Sequence, residues 1–208
     1  MKKKIVIVGA SGHAKVIIDI LKSQGSYDIV GCTNIIGTGE QIEGIPIIGN
    51  DSVLPLLLEQ GVKHAFIAIG NNKIRMAMFD ELVQIGFGFV NAISPFAYVS
   101  QSARLGSGIA IMPGVVINAN SKIEDNVIIN TGATIDHDNI IASHSHIAPG
   151  CNLAGNVTVE KGAFVGTGAK IIPNVRIGKW SIVGAGSVVI RNVENYTKVF
   201  GVPAKTNL

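Results

Sequence analysis

From Val99 onward a branched aliphatic residue returns every six positions. The run is Leu105, Ile111, Ile117, Ile123, Ile129, Ile135 and Ile141, then Ile147, Leu153, Val159, Val165, Ile171, Ile177, Val183 and Val189. The register never slips. A helix repeats at 3.6 residues and a half-buried strand at 2, so neither yields a strict six. A fixed hexapeptide period marks a parallel β-helix, in which each repeat supplies one short strand and one turn. Three hexads closing one triangular coil would stack the aliphatics inside a prism, with coils hydrogen-bonded at about 4.8 Å. The irregular strand spacing of a β-sandwich does not give such a run. The residue after each aliphatic is mostly small or polar (Gly106, Asn130, Ala148), and four places on small or aliphatic residues dominate (Ala103, Val127, Ala133, Ala163).

The first third has a different grammar. Lys4 to Val8 is a β-branched run suited to a parallel strand covered on both faces. It ends at Gly9-Ala10-Ser11-Gly12-His13, and a helix follows with Val16, Ile17, Ile20 and Leu21 on one face. Strand, glycine turn and helix aim backbone N–H groups at a phosphate; the same turn also serves simply to pack helix on sheet. A dinucleotide fingerprint would place a third glycine where Ala14 stands, and a carboxylate at the end of the second strand. That strand, Asp28 to Cys32, runs instead into Thr33-Asn34. Further on we expect a helix from Ser52 to Gln60 capped by Asp51, a buried strand from Ala65 to Ile69, a helix from Ile74 to Ile85 stopped by Gly86, and a last strand from Gly88 to Asn91. The turns at Gly9 and at Gly70-Asn71-Asn72 both fall at carboxyl ends of parallel strands, where open α/β sheets bind ligands. Ser94-Pro95 hands over to the hexads. The expected division is therefore 1–93, Rossmann-like and nucleotide-sugar-binding, and 94–208, a β-helix with a C-terminal tail.

The 208 residues carry only 15% charged side chains and a net charge of +3. Such mild positivity gives no case for nucleic acid and suits phosphorylated small molecules. Two cysteines, Cys32 and Cys151, are too few for a disulfide framework and point to a reducing compartment. The apolar run after Met1-Lys2-Lys3-Lys4 is too short for a signal peptide, and no stretch is long enough to span a membrane. A soluble, cytoplasmic protein without membrane insertion is expected.

With aliphatics filling the prism, polar groups must face outward or into an interface. Thr134-Ile135-Asp136-His137-Asp138-Asn139 sets a histidine between carboxylates at a turn, the pair needed for general-base work. A solvated surface histidine is the competing reading. His144 and His146 follow, without the second cluster typical of a metal site. His146 suits a ligand-contacting or interface role, His13 can face a ligand from the glycine turn, and His64 reads as merely exposed. Beyond the last hexad, Lys205 in Gly201-Val202-Pro203-Ala204-Lys205 is either a mobile point charge for a phosphate or a solvated tail lysine.

Hexads ending in Gly201-Val202-Pro203-Ala204-Lys205 resemble the left-handed β-helix acyltransferases. Gly9-Ala10-Ser11-Gly12-His13 and Ile69-Gly70-Asn71-Asn72-Lys73-Ile74-Arg75 narrow the likeness to bacterial nucleotide-sugar acetyltransferases. The chain is similar to the UDP-4-amino-sugar N-acetyltransferase of bacillosamine synthesis, the perosamine N-acetyltransferases and the sialic acid O-acetyltransferase group. The resemblance implies a homotrimer engaged in polysaccharide biosynthesis, with acetyl-coenzyme A as co-substrate between adjacent β-helices and no metal. It implies His137 as the base, Asp138 as the acid that raises its basicity, and His146, Gly155, Thr167, Ala185 and Lys205 along the coenzyme groove. It places the nucleotide-linked amino sugar against Ser11, Gly12, His13, Asn34, Gly70, Asn71 and Asn130. In one respect the chain departs: the family often ends the second strand with paired aspartates, where Thr33 and Asn34 stand here.

The leading expectation is acetyl transfer to the amino group of a nucleotide-linked 4-amino-deoxysugar. O-acetylation of sialic acid or another glycan hydroxyl is the alternative. A non-catalytic nucleotide-sugar sensor would lack use for a His137–Asp138 pair, and a nicotinamide oxidoreductase would want the absent carboxylate.

Overall fold

The computed structural model describes residues 2–35 and 40–206. The chain divides into two compact units between Pro95 and Phe96.

In the first unit the apolar run becomes β1 (Lys3–Val8), whose last four residues are buried. It is followed by α1 (Gly12–Gln24), β2 (Tyr27–Thr33), β3 (Gln41–Ile42) and β4 (Ile45–Gly49). A 3₁₀ turn (Asp51–Val53) leads into α2 (Leu54–Glu59), and then come β5 (His64–Ile67), α3 (Asn72–Ile85) and β6 (Gly88–Phe89). The sheet order is β3-β4-β2-β1-β5-β6, with β3 antiparallel to β4 and the other pairs parallel. This is the α/β arrangement expected. Details differ. Val16 is 38% exposed while Ala14 and Ile18 are buried, so the inner face of α1 is rotated from the expected one. The segment after β4 is capped by Asn50, whose Oδ1 accepts from Ser52 N, and it opens as a tight 3₁₀ turn before α2. Asp51 is therefore not the cap.

In the second unit the hexads become two-residue strands, from β8 (Tyr98–Val99) to β23 (Val188–Val189) at six-residue intervals, with β7 (Ala92–Ile93) preceding them in the chain. Up to β20, each pairs in parallel with the strand eighteen residues on: Ile117 lies beside Val99 on one side and Ile135 on the other. Three hexads thus make one coil, and three parallel sheets make the faces of a β-helix. The inward residues from Ile111 to Val189 are at most 3% exposed, and each contributes about 1.5–3 kcal/mol of burial. The third residue after every inward aliphatic, from Gly108 to Gly186, has positive φ. Glycine, asparagine and aspartate fill nearly all of these places because they tolerate the left-handed conformation that turns each corner; Trp180 and His144 are the exceptions. The chain closes with β24 (Lys198–Phe200) and β25 (Lys205–Thr206), an antiparallel hairpin on the last coil.

Candidate functional site

In the first unit, a cavity of about 360 Å³ opens at the carboxyl ends of the strands, lined by Gly9, Ser11, Asn34, Asp51 and Gly70 among others. Backbone bonds knit its floor: Gly9 N donates to Thr33 O, Asn34 N to Gly49 O, and Ala68 N to Val8 O. Gly9 is needed there, because at φ +104 a Cβ would sit 3.0 Å from Ala68 O. Ser11 ends in an extended conformation as the N-cap of α1, yet its side chain makes no capping bond and stays available at the cavity. Asn71 caps α3 instead, accepting from Lys73 N and Ile74 N.

The remaining residues that the sequence placed at these turns stand next to the lining ones. Gly12 opens α1 and is not among the lining residues, nor is Asn71. His13 turns inward: its Nε2 is buried with no hydrogen-bond partner among the described residues. Burial, aided by the Arg75 guanidinium, pulls its pKa down to about 4, so it offers no positive charge to a phosphate at neutral pH. Arg75 itself is buried, and burial lowers its pKa to about 9. Its guanidinium donates to Ile69 O, Gly70 O and Asn72 Oδ1, which pins the turn after β5 from behind. Arg75 is the fourth residue of α3, and an arginine at that place behind a glycine turn is the signal the sequence carries.

In the second unit, β14 (Thr134–Ile135) delivers His137 to the corner before β15 (Ile140–Ile141). The next residue, Asp138, has φ +59, and its Oδ2 lies 2.8 Å from His137 Nδ1. Hydrogen bonds from His137 and Asn120 hold the Asp138 pKa below the usual carboxylate range. The carboxylate is thus an acceptor and Nδ1 must donate, which leaves the lone pair of the neutral ring on Nε2. The same bond to Asp138, against desolvation, raises the His137 pKa. Asp136 steadies the backbone, its Oδ1 accepting from His137 N at 2.8 Å and Asn118 Nδ2 at 3.0 Å.

Behind the corner sits Asn139. Asn139 is fully buried, and its amide donates to Asp136 O (2.7 Å) and Ala154 O (2.9 Å) while accepting from Val157 N (3.1 Å). It stands four places after Ile135, where small or aliphatic residues dominate, so its polarity was itself a sign. Gly155 packs flat beneath the imidazole: a Cβ there would lie 2.5 Å from His137 Cε1 and Nε2.

His146, expected to face outward, is only 9% exposed on β16 (His146–Ile147). Its register neighbours are Ile128 and Phe164, the latter edge-on with ring centroids 5.2 Å apart. Asn130 Nδ2 lies 3.2 Å from His146 Nε2, so Asn130 positions a histidine. His144 is buried and bonds Asn126. Thr167 and Ala185 are exposed on successive corners preceding β20 (Lys170–Ile171) and β23, linked by Gly186 N donating to Thr167 O. Lys205 is exposed in the terminal hairpin. One prism face thus runs between the Thr167–Ala185 ridge and the His137–Gly155 ridge. It carries a groove of about 400 Å³ lined by Thr134, Asp136, Asn152 and Lys170 among others. Lys170 Nζ donates to Asn152, whose amide donates to Thr134 Oγ1. Among the described residues, no group of three or more His, Cys, Asp or Glu is placed to hold a metal, and no helix is long and apolar enough to cross a membrane.

Residues 4–82 match the PglD N-terminal domain, and residues 156–191 match the bacterial transferase hexapeptide (six repeats). PerB from Caulobacter crescentus, solved with CoA and GDP-perosamine, is 45% identical, with 98% of this chain and 97% of that one covered and a TM-score of 0.95. A histidine-to-alanine variant of the GDP-perosamine N-acetyltransferase from that organism, also with CoA and GDP-perosamine, is 44% identical, with 98% and 96% covered and the same TM-score, 0.95. The acetyltransferase domain of PglB from Neisseria gonorrhoeae FA1090, in complex with acetyl coenzyme A, is 33% identical, covers 100% of both chains and has a TM-score of 0.93. An uncharacterized protein of Acanthamoeba polyphaga mimivirus is 31% identical over 104 residues, a match that takes in 50% of this chain and 20% of that curated protein. Likeness at this level across nearly the whole of both chains leaves one assignment: the chain belongs to the nucleotide-sugar acetyltransferases of the hexapeptide-repeat type.

Proposed function

We propose that the chain is an acetyl-CoA-dependent N-acetyltransferase acting on the amino group of a nucleotide-linked 4-amino-deoxysugar. The observation that carries the reading is the His137–Asp138 pair, 2.8 Å apart, in which Nδ1 donates and Nε2 keeps its lone pair. Nε2 takes a proton from the sugar amine as the nitrogen adds to the thioester carbonyl. The tetrahedral adduct then collapses, the carbon–sulfur bond breaks, and coenzyme A leaves as the thiol after protonation. Asp138 keeps the imidazole in the correct tautomer and stabilises it once charged. Coenzyme A bound by relatives at 45% and 33% identity supports the donor, and GDP-perosamine in the first supports the acceptor class.

The acting form is a homotrimer. The His137 and Asp138 side chains are 59% and 52% exposed in the single chain, and a base working in a water-excluded site needs a second wall. A neighbouring copy against the Thr134–Asn152–Lys170 face supplies one, with acetyl-coenzyme A along the groove past Gly155, Thr167 and Ala185 and its phosphates toward Lys205. Ser11, Asn34 and Gly70 hold the nucleotide. Work in the cytoplasm accords with Cys32 and Cys151, both buried and unpaired.

The test supplies acetyl-CoA with GDP-, UDP- and dTDP-4-amino-4,6-dideoxysugars and follows thiol release and product. An acetylated sugar stable to mild alkali is expected. An alkali-labile ester, or no thiol release with any of the three, refutes the reading.

A further inference from the structure

Resting on the nucleotide-sugar reading above, the feature that goes beyond it is a carboxylate the end of β2 lacks. Thr33 and Asn34 stand where an acidic residue was wanted, yet Asp51 lines the same cavity. Thr33 Oγ1 donates to Asp51 Oδ1 at 2.5 Å, and Thr33 is itself fully buried with its carbonyl accepting from Gly9 N. The carboxylate thus stands at the tip of β4 and is tied across to Thr33 at the end of β2. Asn50 takes the capping duty, its Oδ1 accepting from Ser52 N and Ser52 Oγ. That leaves Asp51 to face the cavity.

Strand order says what it would meet. The phosphate turn, Gly9 to Gly12, follows β1; β2 lies next, and β4 beyond it. In such sheets the diphosphate sits at the first helix and the ribose at the end of the second strand. Two strand spacings carry the ligand roughly 10 Å from the phosphates, comparable with the reach from a diphosphate through ribose to the base edge.

We propose that Asp51, oriented by Thr33, is a specificity-determining residue that reads the base and selects guanine. A carboxylate offers acceptor lone pairs only. Guanine presents two adjacent donors, N1–H and the exocyclic amine. Uracil and thymine present one N–H flanked by carbonyl oxygens that a carboxylate repels, and adenine presents one donor beside an acceptor. A buried acceptor left unmatched is what rejects the wrong ligand.

Calorimetric titration of the whole chain with GDP, IDP, 2′-deoxy-GDP and UDP tests this. Wild type should bind GDP about tenfold or more tightly than UDP or IDP, and 2′-deoxy-GDP like GDP. Asp51→Asn should bring GDP to the level of UDP or below it, with UDP binding no weaker than in wild type, and Thr33→Val should weaken GDP in the same direction. Equal binding of GDP, IDP and UDP by wild type overturns the proposal, as does a GDP preference unchanged in Asp51→Asn. Loss of affinity for 2′-deoxy-GDP equal to that for IDP also overturns it, by assigning Asp51 to the ribose. Should Asp51→Asn fail to fold, the wild-type ratio of GDP to IDP decides alone. Absence of binding by any nucleotide would instead strike the nucleotide-sugar reading itself.

Discussion

Replacing Gly155 by alanine adds one methyl beneath the imidazole of His137, the proposed base. An added Cβ would lie 2.5 Å from His137 Cε1 and Nε2, against about 3.5–4.0 Å for ordinary carbon contacts. The ring must therefore retreat by about 1 Å. It can do so, since the side chain is 59% exposed, and φ at this residue is not one that alanine avoids. The fold should stand while the base is misplaced. A misplacement of about 1 Å can cost 10²-fold in rate, equivalent to about 2.7 kcal/mol of transition-state stabilisation. Steady-state thiol release for Gly155→Ala should show a fall of roughly that size in kcat, with a melting temperature close to wild type. The reasoning is refuted if the variant turns over like wild type. It is equally refuted if only KM for acetyl-CoA rises, because Gly155 would then act as a groove wall and not as the seat of the imidazole.

Two further predictions follow from the same corner. In Asp138→Asn the interaction that raises the His137 pKa is lost, so the acid limb of the pH–rate profile should move to lower pH and the maximal rate should fall; an unmoved limb would show that Asp138 does not tune the base. Asn139→Ala removes the donor to two carbonyls and the acceptor for Val157 N. At about 1 kcal/mol for each, urea unfolding should register a loss of about 2–3 kcal/mol, and a change below about 0.5 kcal/mol would contradict the role given to Asn139.

The hexads were legible because one physical demand, filling the prism, recurs at every turn and admits only aliphatics. Ile111 to Val189 could be assigned inward without coordinates for that reason. The corner chemistry was half legible. His137 beside Asp138 follows from adjacency in sequence, but the left-handed φ at Asp138 that curls its carboxylate onto Nδ1 belongs to the corner. His146 shows the opposite limit: an outward position in the hexad is still buried when Ile128 and Phe164 flank it in register. In the first unit, the strands and glycine turns could be read from local pattern. Asp51 could not, because its meaning lies in Thr33, eighteen residues away and one strand over. Nor could the lowered pKa of His13, which comes from its burial and, second, from the charge of Arg75 on a helix much later in the chain.

In the proposed reaction His137 Nε2 removes a proton from the attacking sugar amine. The most direct test compares thiol release by wild type and His137→Ala with acetyl-CoA and the best-accepted nucleotide 4-amino-sugar, with coenzyme binding measured alongside. With the base removed, kcat should fall by about 10²–10⁴-fold with coenzyme affinity retained. Undiminished turnover by His137→Ala would contradict that role for His137.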